Sequence, residues 1–339
     1  MKALLLAMAG LTALAAPRAA GILSPPPVHR PADTGVIRIW GNAETASLVD
    51  RWREGWGKIP PRLRIETRLT GSDVAMAALT TGAADIALLG RDATANEVKA
   101  FEWIFRYKPL RVAVATGSVD RPGKSPALVL YVHADNPLRR LTLAQVDAIF
   151  GRELRRGAPQ AIRTWDGLGL AGEWAGRGIA LYAPDTESGT GRFFRAVALN
   201  DSRRLAWERL TEFKDTRLEA EPAHDAAQQI LAALARDRYG LAVASGGIEN
   251  ESVRPVALAS ADGGPDVLPA PASLVSRRYP FTRALAAYVN RKPGTPLDPP
   301  LAAFLRYVLG HEGQQEVAAD GGYLPLSAGA AREHLKQFQ

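Results

Sequence analysis

The sequence predicts an α/β protein built from two doubly wound α/β lobes joined by a hinge of two crossovers. Short β-type runs alternate with helical runs along most of the chain, the order that gives sheets flanked by helices. Turns rich in Gly, Ser and Thr recur between a strand and the helix after it. A chain of 339 residues, 47% hydrophobic and 23% charged, is long and apolar enough for two packed cores.

Taken in order, residues 36–40 read as a strand and 43–56 as a helix with Leu48, Val49, Trp52 and Trp56 on one face. Residues 64–69 alternate as a second strand. A helix over 74–81 ends near Gly82, and 85–89 is a third, mostly apolar strand. This βαβαβ unit predicts a parallel sheet whose ligands sit beyond the carboxyl ends of its strands. A strand over 110–115 leads into a stretch rich in Gly, Pro and Ser at 116–125, read as the first crossover. The second unit holds a strand at 127–133, a helix at 143–150, a strand at 179–183, a helix from about Arg192 to Leu199, a helix at 226–236 and a strand at 240–244. The chain is expected to return at residue 252, so that 35–117 with 252–339 form one lobe and 118–251 the other. Helices at 300–309 and 314–319 close the fold, and no internal repeat is visible.

The N-terminus has the layout of a secretory signal peptide. Met1-Lys2 precedes an apolar run from Ala3 to Ala16, with small residues at Ala13, Ala15, Ala19 and Ala20. Residues 1–20 are assigned to the signal, and the Pro-rich 21–34 to a tether. No later run of 18 apolar residues occurs, so no stable membrane insertion is expected. Cysteine is absent, which excludes disulfides, thiolate metal sites, a cysteine nucleophile and a lipid anchor on cysteine. The formal net charge is +7, yet the basic residues form no run and no aromatic-interleaved stripe. Nucleic acid is therefore not an expected partner. A mild positive field does help gather an anion.

The strongest local motif is Glu187-Ser188-Gly189-Thr190-Gly191, between a strand and a helix. Free N–H groups and the dipole at a helix start bind anions, hydroxyls add donors, and glycine allows close approach. Taken alone, the motif fits an ordinary capped turn equally well. Thr70-Gly71-Ser72-Asp73 and Gly41-Asn42-Ala43-Glu44 are weaker turns of the same kind. Enzyme motifs fail. Gly123-Lys124-Ser125 lacks the earlier glycine of a phosphate loop, since Ser118 stands there. His311-Glu312 lacks the second histidine of a zinc protease, and Thr186 replaces the glycine of a nucleophile elbow before Ser188. His133, His224 and His311 are read as solvated or capping residues, and no metal or cofactor is expected.

Further stretches carry a resemblance. They are 82–86 (GAADI), 135–138 (DNPL), 141–151 (LTLAQVDAIFG), Ser188-Gly189-Thr190 with Phe194 behind it, Tyr279-Pro280, 312–315 (EGQQ) and 322–326 (GYLPL). In this order and spacing the chain resembles the phosphate-binding components of bacterial ABC importers, which are type II periplasmic binding proteins. The resemblance implies hinge closure on inorganic phosphate or another small oxyanion, docking on an ABC transporter permease, a periplasmic location and a monomer. It implies binding rather than catalysis.

Carried over residue by residue, the resemblance places ligand contacts at Ala43, Glu44, Ser72, Arg91, Ser188, Gly189, Thr190 and Gly191. Ala43 lacks a hydroxyl, and Glu44 adds negative charge. Gly90 stands where the family has Ser or Asp, and Pro184 stands where it has its main arginine. Losing such a charge-assisted pair costs about 2–5 kcal/mol. Arg91 foremost, or Arg192 or Arg195, is expected to compensate, while Asp73, Asp185 and Glu187 oppose an anion. Three rivals follow: a diverged binding protein with another ligand or none, serving sensing or scaffolding; a hydrolase or transferase using Ser188; and a surface or adhesion protein built on the same scaffold.

Overall fold

The computed structural model describes residues 35–59, 63–215 and 225–338. The expected signal peptide, the tether and His224 lie outside the described residues. The first lobe opens with β1 (Val36–Gly41), a 3-10 turn at Ala43–Thr45 and α1 (Ala46–Trp56). Next come β2 (Arg64–Arg68), α2 (Ser72–Thr81), β3 (Ile86–Leu89), α3 (Ala95–Phe105) and β4 (Leu110–Thr116). α2 stops where Gly82 takes φ 72°, a left-handed turn that glycine adopts without cost. The helix α3 was not anticipated. Its start is a capping box in which Thr94 accepts from Glu97 N while Glu97 accepts from Thr94 N.

The second lobe holds β5 (Leu128–His133), β6 (Arg140–Thr142), α4 (Leu143–Phe150), β7 (Ala180–Pro184) and α5 (Gly189–Ala198). β8 (Leu210–Phe213), α6 (Ala226–Leu234), β9 (Gly240–Ser245), β10 (Val253–Ala259) and α7 (Pro271–Val275) complete it. The chain then returns through β11 (Ala284–Val289), α8 (Pro299–Leu309), α9 (His311–Asp320) and α10 (Ala328–Lys336).

Strand order in the first sheet is β2-β1-β3-β11-β4, and in the second β6-β10-β5-β9-β7-β8. Neither sheet is wholly parallel as expected. β11 runs antiparallel to β3 and β4, and β5 runs antiparallel to β9 and β10. In each case the strand next to an interlobe crossover is inserted against its neighbours, a placement that apolar periodicity does not encode.

The expected return at residue 252 comes too early. β10 pairs with β5 and β6, and its Val256 and Leu258 are buried in the second core with Tyr279 and Phe281. Tyr279 Oη donates to the Leu128 carbonyl at 2.8 Å. The chain therefore leaves the second lobe at Phe281–Arg283. There the two crossovers run side by side: Leu128 N–H donates to Phe281 O, and Gly117 N–H to Arg283 O. Phe194 of α5 stacks edge-on against Phe150 of α4 (5.0 Å) and Phe281 of the return crossover (5.9 Å). This aromatic chain fixes the start of α5 against the hinge.

Candidate functional site

The carboxyl ends of both sheets open onto a cleft of about 660 Å³ lined by residues of both lobes. On the second-lobe side stands the Ser-Gly-Thr-Gly turn. The helix begins at Gly189, three residues before the expected start, so the motif is the first turn of α5 itself. Ser188 is its N-cap: the Ser188 Oγ accepts from Gly191 N at 3.0 Å, and Ser188 O accepts from Arg192 N at 2.9 Å. The N–H groups of Gly189 and Thr190 then have no acceptor within the helix, and both residues line the cleft. The Ser188 hydroxyl proton is free to donate to a ligand.

On the first-lobe side, α2 begins at Ser72 after Gly71, with no side-chain cap. Its first N–H groups are likewise unclaimed by the helix, and Ser72 lines the cleft. The Arg91 side chain lies between the two helix starts, since a Cβ added to Gly189 would meet Arg91 Cδ at 3.2 Å.

Arg91 is not a free cation. Its Nη1 and Nη2 grip both oxygens of Glu97 at 2.8 and 2.7 Å, and Nη2 also bonds Asp73. Burial opposes the charge on each member of this pair. Burial is the largest single effect, but the hydrogen bonds and charge attraction together outweigh it, raising the Arg91 pKa and lowering that of Glu97. The other expected substitutes are engaged as well. Arg195 pairs with Glu187 at 3.1 Å, and Arg192 donates to the Glu187 carbonyl. The same pairings quiet the acidic flank, because Asp185 meets Lys214 at 3.4 Å and Asp73 is held by Arg91.

Two expected contacts are not at the cleft wall. Ala43 is exposed and does not line it. Gly191 is buried with its N–H already given to Ser188, and a Cβ there would lie 2.2 Å from Asp185 O and 2.6 Å from Thr186 Cα. Its role is to let the helix start pack onto the loop after β7. Glu44 does line the cleft, and no ion pair engages its carboxylate among the described residues; Lys124 Nζ donates instead to the Glu44 carbonyl at 2.6 Å.

Several polar lining residues were not among the expected contacts, among them Asn42, Ser125, Lys214 and Arg283. Asn42 Oδ1 is buried with no hydrogen-bond partner. Ser125 Oγ donates to Gly90 O at 2.8 Å, and a Cβ added to Gly90 would come within 2.6 Å of that oxygen. The hydroxyl of the first crossover thus fills the space beside residue 90. Arg283 is 9% exposed and lines the cleft from the return crossover. Its Nη2 donates to the same Gly90 carbonyl at 3.2 Å, and its guanidinium lies 5.6 Å from the Phe193 ring centre. Burial pushes its pKa down to about 10, which leaves it cationic at neutral pH. A signal for it was present: one arginine directly before the apolar run 284–289.

Residues 28–312 match a family model described as a PBP superfamily domain. The chain is 34% identical over 305 residues to the phosphate-binding protein PstS of Pseudomonas aeruginosa, covering 90% of this chain and 87% of that protein. It is 22% identical to the protein SphX of Synechococcus elongatus over 91% of this chain and 82% of the relative. Among solved structures, PstS from Borrelia burgdorferi matches with a TM-score of 0.57 at 15% identity, covering 87% of this chain and 100% of that one. An ABC-type phosphate transport receptor from Vibrio cholerae matches at 0.53 and 17%, covering 85% and 99%. At these identities the structural matches speak for the fold alone.

Proposed function

This chain belongs to the PBP superfamily, and from that membership we propose that it is a periplasmic solute-binding protein that holds inorganic phosphate, or a similar small oxyanion, for ABC-type import. The observation that carries the reading is the start of α5. Ser188 caps the helix, while the N–H groups of Gly189 and Thr190 open into an interlobe cleft and leave room for an anion. The uncapped start of α2, with Ser72, supplies donors from the other lobe. An anion held by both helix starts bridges the lobes, so binding favours the closed arrangement.

Glu44 refines the ligand class. A carboxylate repels a fully ionised oxyanion but accepts a hydrogen bond from one that keeps a proton. Monohydrogen phosphate keeps one at neutral pH, and sulfate does not. On this reading Glu44 favours phosphate over sulfate. The closed protein then docks on a permease as a monomer, working by binding alone. Ser188 as a hydrolase nucleophile gains no support, since its oxygen is committed to the helix cap and no described histidine lines the cleft.

Titration calorimetry tests the proposal. Phosphate should bind with one site per chain and sulfate more weakly. No heat with millimolar phosphate, together with no density in the cleft of soaked crystals, would reject phosphate as the ligand.

A further inference from the structure

We propose that Arg283, carried on the return crossover, is the counter-charge of the bound oxyanion and takes over the part that an arginine at position 184 would play. The inference rests on the oxyanion reading above and adds the residue that neutralises the ligand.

Elimination supports the assignment. Of the other cations lining the cleft, Arg91 is held by Glu97 and Asp73 and Lys214 pairs with Asp185; beyond the lining, Arg195 is held by Glu187 and Arg192 by the Glu187 carbonyl. Arg283 makes no salt bridge among the described residues; its Nε is buried without a partner, and one carbonyl receives its Nη2. Burying a cation without a counter-ion costs several kcal/mol. A partner from outside the chain removes that cost, and Arg283 already lines the cleft where such a partner would lie.

Position supports it too. The guanidinium packs on Phe193, which is one turn along α5 from Gly189 and so on the same face of the helix. It therefore faces the side of α5 that carries Gly189, and Gly189, Thr190 and Arg283 all line the same cleft. Gly90 keeps the guanidinium unneutralised, because a side chain there would strike Ser125 Oγ, and an acidic one would bring a carboxylate to the carbonyl Arg283 already touches. Finally, Arg283 O accepts from Gly117 N, which ties the residue to the first crossover. The positive charge sits at the hinge, so a bound anion pulls on the point about which the lobes turn.

The test compares phosphate titrations of the unaltered protein, Arg283→Gln and Arg283→Lys, each with its ligand-free melting temperature. Arg283→Gln should bind phosphate at least about 30-fold more weakly, while its ligand-free melting temperature stays level or rises, because a buried unpaired charge has gone. Arg283→Lys, which keeps the charge but loses the fork, should fall between. A folded Arg283→Gln protein that binds phosphate within threefold of the unaltered one overturns the inference and leaves the proposed function standing. If that variant does not fold, the Arg283 Nε–H resonance of the unaltered protein decides: phosphate should shift it, and an unmoved resonance at saturation overturns the inference. If the unaltered protein binds neither phosphate, sulfate nor molybdate, the oxyanion reading and this inference fall together.

Discussion

At the scale of single residues, the site depends on which polar atoms are already spent. Ser188 gives its lone pair to Gly191 N and keeps its proton for a ligand. Ser188→Ala should therefore cost about 1 kcal/mol of stability through the lost cap and weaken phosphate binding as well; chemical denaturation and calorimetry read the two effects separately. Gly191 touches no ligand, but its place against Asp185 O and Thr186 Cα admits no methyl group. Gly191→Ala should destabilise by about 1–3 kcal/mol and reduce affinity by moving the turn, as seen in the same two measurements. Glu44 sets selectivity on the proposed reading. Glu44→Gln should narrow the preference for phosphate over sulfate, chiefly by improving sulfate binding in competition titrations.

At the scale of elements, α3 anchors the first-lobe wall. Its N-terminal Glu97 closes the capping box and grips Arg91, which in turn lies against Gly189. The Glu97 pKa is below its ordinary value of 4.5 in the fold, since the Arg91 and Thr94 hydrogen bonds outweigh the opposing effect of burial. The unfolded chain thus binds more protons than the folded one between the two values, and stability rises with pH there. This contribution is present in full above about pH 4.5 and is lost as pH drops through the folded value. Glu97→Gln should cost about 1 kcal/mol at neutral pH and flatten the acid limb of a melting-temperature profile below about pH 4.5. The lesson from α5 is similar. The helix was legible from Arg192 onward, but its first turn was not, because Gly-Thr-Gly has weak helix propensity and is held by the Ser188 cap and the Phe150–Phe194–Phe281 chain.

At the scale of the whole molecule, two cores share two crossovers, and the cleft lies where both sheets end. A ligand that bridges the lobes binds only the folded chain. Phosphate at about 100 times its dissociation constant should therefore add about 2.7 kcal/mol of stability and raise the melting temperature, whereas sulfate at equal concentration should do less. Differential scanning calorimetry across a phosphate series checks this, and a melting temperature independent of phosphate would contradict it.

The sequence alone determined the α/β class and most of the strands and helices of the two wound units, and it marked the Ser188-Gly189-Thr190 turn as a candidate place for an anion. Those features are local: apolar periodicity and helix caps are written within a few residues of one another. Tertiary structure decided the rest. It put β10 in the second sheet and ran β11 and β5 against their neighbours, pairings that join residues more than a hundred positions apart. It spent Arg91 on Glu97 and Asp73, removing the foremost expected cation from contention. It also brought Asn42, Ser125 and Arg283 around Gly90, from three separate stretches of chain. Which charge remains unpaired in a buried cleft depends on every neighbour that folding delivers, and sequence spacing cannot give that sum.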